Sequence, residues 1–94
     1  MKISEQGVAI TERFFLAIDT LKRDKVIHSL LEFTTTHNIN RWNLITVRNQ
    51  PQQSVLKPEW IYFLCHDYNV SADWIILGIG SFYKDDKLPH KLDF

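Results

Sequence analysis

Apolar residues in this 94-residue chain recur at helical rather than strand spacing. Phe14, Ile18 and Leu21 stand four and three apart, and Phe15 and Ala17 widen their stripe, which predicts a first helix from about Thr11 to Lys25. In that pattern Thr11 is the N-cap and Glu12 lies in the first turn, while Lys22, Arg23 and Lys25 suit the negative end of the helix dipole. The segment 1–10 then reads as a flexible N-terminal arm. Ser29, with Glu32 three residues on, forms a capping box for a short second helix. Thr34, Thr35 and Thr36 lower its intrinsic helicity, so packing must hold it. Asn38 suits a left-handed turn, and Asn40 caps a third helix over 40–49 whose Leu44 and Val47 face inward.

Pro51 prevents that helix from continuing, and PQQSVLK is a polar loop. Pro58 fits the first position of a fourth helix with the stripe Trp60, Ile61, Leu64 and Tyr68, and Phe63 beside it. Asn69-Val70 makes a break, Ser71 caps a fifth short helix, ADWIIL, and Gly78 stops it. The pattern predicts an all-α fold: a compact bundle of four or five short helices in residues 11–80, with a C-terminal tail at 81–94. In the tail, Leu88 and Leu92 are four apart, the spacing of a one- or two-turn helix that packs back on the domain or mediates a dimer.

Composition changes this picture little. Hydrophobic residues make up 45% and charged residues 23%, ordinary values for a globular domain. A single cysteine excludes an internal disulfide and suits a reducing compartment, so the cytoplasm is the expected location. No apolar run approaches the roughly 18 residues of a membrane span, and no signal peptide is recognisable. Charge is more informative in its distribution than in its sum of zero. Residues 22–57 hold six Lys and Arg against Asp24 and Glu32, a net of +4, whereas the segments before and after carry −1 and −3. The positive segment contains the second and third helices.

Candidate chemistry is sparse. Cys65 and His66 are adjacent, so on a helix they point about 100° apart, and no second pair offers metal-site spacing. His28, His37, His66 and His90 are scattered, and no acid–base constellation can be assembled from them. Gly7, Gly78 and Gly80 do not form a phosphate loop. No enzyme, cofactor, metal or small-molecule substrate is expected. Glu59, Asp67 and Asp73 read as helix-end or surface charges, and Trp60 and Trp74 as core.

The stretch SLLEFTTTHNINRWNLITVRNQ followed by LCHDYNVSADWIILGIGSFY resembles the Cro/CI-type (lambda-repressor-like, Xre) helix-turn-helix domain over about residues 11–83. Asn69 to Gly78, N-V-S-A-D-W-I-I-L-G, carries the most specific part. Glu32, Thr34 and Asn38-Ile39 fall at the family's acidic, small and turn positions. Leu30 stands where the family often has a DNA-contacting glutamine, His37 where it has a buried apolar residue, and Gln50 where a glycine follows Asn49.

The resemblance implies a transcriptional regulator that binds double-stranded DNA with helix 40–49 in the major groove, as a homodimer matching two half-sites. It places Arg41, Trp42, Ile45 and Thr46 toward base edges, with Arg41 suited to guanine O6 and N7, and Ile45 and the Thr46 methyl to thymine. It places Ser29, Asn43, Arg48 and Asn49 toward phosphates. Leu30, a bulky Trp42 and the neutral net charge favour an alternative, a degenerate helix-turn-helix domain serving protein–protein interaction without DNA binding.

Overall fold

The computed structural model describes residues 2–89, and among them five α-helices and one short 3-10 turn. Ser4 starts the first helix: its Oγ accepts the Gly7 N–H at 3.1 Å, and α1 runs Glu5–Arg23. This corrects the expected arm at 1–10 and the expected cap at Thr11, which is instead buried inside the helix. The extra turns are held by packing. Ile3 donates its N–H to the Gln52 carbonyl at 2.8 Å, and its side chain folds so close to Gly7 that a Cβ there would lie 2.6 Å from Ile3 Cγ2. Glycine at position 7 therefore lets the chain entering α1 fold back over its first turn. The helix ends at Arg23 rather than Lys25, because Lys25 takes a left-handed φ of 62°.

The other caps follow the local chemistry of the chain. In α2 (Leu30–Thr36) the Ser29 Oγ accepts the Glu32 N–H at 3.0 Å. The reciprocal bond goes one residue further back than a capping box would place it, from the His28 N–H to Glu32 Oε1 at 3.1 Å. In α3 (Arg41–Asn49) the Asn40 Oδ1 accepts the N–H groups of both Trp42 and Asn43, at 2.9 and 3.2 Å. Pro58 opens α4 (Pro58–Asp67), and the Ser71 Oγ accepts the Trp74 N–H at the start of α5 (Ala72–Leu77). Gly78 ends α5 with φ 71°, and Asn38 and Asn69 take the left-handed turns before α3 and α5.

One core joins all five helices. Phe14, Ala17, Ile18 and Leu21 of α1 meet Phe33 of α2, Leu44 and Val47 of α3, Trp60 and Leu64 of α4, and Ile75 of α5, with Ile27 and Val70 from the connections. Trp74 is half-buried against this core, its ring 4.8 Å from Phe82. Arg13 ties α1 to the end of α5: its Nε donates to the Ile75 carbonyl at 2.6 Å and its Nη2 to the Ile76 carbonyl at 2.9 Å. These are carbonyls that a helix C-terminus leaves without an internal partner. Replacing Arg13 with methionine keeps the stem and removes both bonds, and is expected to cost about 1–3 kcal/mol in urea unfolding.

Residues 82–87, after α5, pack back on the domain. Val70 and Tyr83 form an isolated antiparallel bridge, and the Tyr83 hydroxyl donates to Asp24 Oδ2 at 2.8 Å. That bond holds the Asp24 carboxyl below its ordinary range despite burial, while burial and the same carboxylate push the Tyr83 phenol up. Asn69 Nδ2 donates to the carbonyls of Lys84 and Lys87 around the 3-10 turn Lys84–Asp86. The expected pairing of Leu88 with Leu92 lies outside the described residues. No helix among those residues is long and apolar enough to cross a membrane.

Candidate nucleic-acid interface

Helices α2 and α3 are joined by the four residues His37–Asn40, and the turn is closed from within. The Ile39 N–H donates to the Thr34 carbonyl at 2.8 Å while Asn38 reverses the chain with φ 54°. Leu44 and Val47 then bury one side of α3. At about 100° per residue, Trp42, Ile45, Thr46 and Asn49 share the opposite side, with Arg41 and Arg48 on one edge and Asn43 on the other. Trp42, Thr46 and Asn49 are exposed and Ile45 is half-buried.

The expected site residues thus separate into distinct roles. Trp42 is 68% exposed, and the Arg41 guanidinium lies over its ring, 5.1 Å from the centroid. Thr46 Oγ1 donates to the Trp42 carbonyl at 2.9 Å, so the hydroxyl turns back on the helix. Asn49 stands seven residues after Trp42, two helical turns along the same line, and so shares the side of α3 that Trp42 occupies. Arg48 lines a groove against α1 together with Glu12 and Asp19. Ser29 is half-buried, and its oxygen is engaged as the α2 cap. Asn43 borders a cleft of about 270 Å³ beside the N-terminus of α3, with Lys57 and Glu59 on its rim. Lys57 is a cation that the sequence pattern does not single out.

A second group was not legible in the sequence. The side chain of His37 is 5% exposed and stacks on Phe63 with ring centroids 4.5 Å apart. Its Nδ1 lies 2.9 Å from the Phe33 carbonyl and its Nε2 2.7 Å from Asp67 Oδ2. Each ring nitrogen therefore has an oxygen within hydrogen-bond distance. His66 Nδ1 reaches the other carboxylate oxygen of Asp67 at 2.6 Å. Burial works to raise the Asp67 carboxyl, but the two imidazoles outweigh it and hold the group below the ordinary carboxylate range. Burial, with Asp67 and Glu32 nearby, pushes the Tyr68 phenol up to about 12. The histidines expected to be scattered therefore converge in part on Asp67, behind the turn that carries α3. Asp67 is the exposed last residue of α4, the helix-end charge expected, and it also anchors both imidazoles.

Comparison of the chain with models of protein families, with characterised proteins and with solved structures finds no match. The geometry itself remains the guide. Among the described residues no group of three or more His, Cys, Asp or Glu side chains is arranged to hold a metal ion. Cys65 is half-buried, and burial pushes its thiol up, away from the reactive thiolate.

Proposed function

We propose that this protein is a sequence-specific DNA-binding regulator of the Cro/CI type, with α3 lying in the major groove. One observation carries the reading. A short helix, fixed from behind by Leu44, Val47 and a cap at Asn40 that accepts two N–H groups, leaves Trp42, Thr46 and Asn49 exposed on its opposite side. The +4 charge of residues 22–57 supports it, since phosphate neutralisation dominates affinity for duplex DNA. A homodimer fits the exposed apolar strip Ile76, Leu77 and Ile79 at the end of α5. A dimer that reads a two-fold site needs its two α3 helices about one helical turn of DNA apart.

The test is selection from a random duplex pool at two salt concentrations. Recovery of a palindromic or pseudo-palindromic motif, bound more weakly at higher salt, is the expected result. In the same assay Arg41→Ala is expected to cost about 1–3 kcal/mol and to relax one position of each half-site. A second reading, a protein-interaction module, is favoured by Leu30, by the zero net charge and above all by Trp42, because an indole this exposed is typical of interface anchors. It expects a folded protein that selects no duplex.

A further inference from the structure

We propose that the groove between α1 and the end of α3 binds a small zwitterion, a free α-amino acid with an apolar side chain. The groove has a volume of about 340 Å³, at the small end of the roughly 300–1,000 Å³ usual for ligand sites. Its charged lining has both signs, and they come from different elements. Glu12 and Asp19 belong to α1, and Arg48 to the last turn of α3. Among the described residues no ion pair within 4.0 Å joins Arg48 to either carboxylate, so the two signs line the groove without closing it. Phe15, Leu16 and Pro51 supply the apolar part of the lining, and Leu16, 53% exposed, leaves apolar surface open to an occupant.

Chemistry on the ligand side completes the match. An α-amino acid carries an ammonium and a carboxylate on one carbon, with its side chain leading away from both. The carboxylate suits the Arg48 guanidinium, which donates two parallel N–H bonds to such a group. The ammonium suits a carboxylate of α1, and an aliphatic side chain suits Phe15 and Leu16. Glu12 and Asp19 are seven residues apart, about 10.5 Å along the helix axis, so a ligand of this size engages one of them. A simple amine leaves Arg48 unanswered, and a fatty acid leaves both carboxylates unanswered. The small volume favours a single molecule over a protein segment as the occupant. The site needs no duplex, so it stands or falls apart from the reading of α3.

The test titrates the 15N-labelled protein with L-leucine at neutral pH, and with two analogues that keep its side chain. Isoamylamine lacks the carboxylate, and isocaproate lacks the ammonium. Leucine is expected to give saturable shifts at the amides of Glu12, Leu16 and Arg48. Each analogue is expected to bind roughly two- to fivefold more weakly, the worth of one exposed ion pair. L-Alanine, which keeps both charges, is expected to bind about tenfold more weakly for want of apolar contact. Arg48→Gln is expected to bring leucine down to the level of isoamylamine, with the thermal transition in place because the side chain is exposed. Glu12→Gln combined with Asp19→Asn is expected to bring it to the level of isocaproate. Leucine and both analogues binding alike to the wild type would overturn the proposal. So would the absence of saturable shifts in this groove, or shifts as large at the exposed Leu77 and Ile79.

Discussion

Replacing Phe14 with alanine is expected to remove about 3–5 kcal/mol of folding stability, a large share of what a domain of this size possesses. Phe14 is fully buried at the middle of α1. Its ring meets Phe15 edge-on at 5.0 Å, Phe33 of α2 at 6.2 Å and Trp60 of α4 at 6.2 Å. Truncation forfeits the transfer free energy of the ring and leaves a cavity that three aromatic walls, set by three helices, can close only in part. Urea unfolding followed by far-UV circular dichroism gives the comparison, with the exposed Leu16→Ala as a control expected within about 0.5 kcal/mol of wild type. A loss under about 1 kcal/mol for Phe14→Ala would mean that the core is not centred on this ring.

Breaking the His37–Asp67 pair is the second large effect. Asp67→Ala leaves the buried Nε2 of His37 without its partner 2.7 Å away, and an unpaired buried polar group costs about 1–3 kcal/mol. Burial of the histidine side chain, not the partly exposed carboxylate, places the value in that range. The pH dependence has a definite sign. The Asp67 carboxyl lies lower in the folded protein than its ordinary value of 3.8, so the native state favours its ionised form. Its contribution is fully present above that ordinary value and is lost as pH falls through the lower folded value. Unfolding of the wild type and of Asp67→Asn, measured from about pH 5 to about pH 2, is expected to show a stability gap that narrows on acidification. A gap that stays constant over that range would remove Asp67 from the account. The pair holds the turn between α2 and α3 against α4, so the same variants are expected to loosen α3 before the remaining core.

Where the chemistry is local, the sequence is a sufficient guide. Ser29, Asn40 and Ser71 cap helices because a side-chain oxygen bonds an amide two or three residues on, and Pro58 and Gly78 act through their own backbone preferences. The inward positions of α3 follow from the three-residue spacing of Leu44 and Val47 alone. The true start of α1 is less legible. Gly7 weakens the local helical signal, and the turns before Thr11 are held by the packing of Ile3 and its bond to Gln52.

The His37–Asp67–His66 group illustrates the same boundary. His37 and Asp67 are 30 residues apart, and only the packing of α2 on α4 brings them within 2.7 Å. No spacing rule reports such a pair, although a histidine at a position expected to be apolar was a usable hint. The Thr46 hydroxyl bond lies between these cases. Serine and threonine in helices commonly bond the carbonyl four residues back, so the apolar character of the α3 surface was readable in principle from Thr46 itself.

Titration of the 15N-labelled protein with a selected duplex, followed by amide and indole resonances, tests the central claim most directly. The account expects the Trp42 indole and the amides of Arg41–Asn49 to shift or broaden first and most. Smaller changes are expected near Lys57, and little along the buried side of α1. Perturbations centred on α5 or the chain after it, with α3 unmoved, would contradict the assignment of α3 as the reading helix.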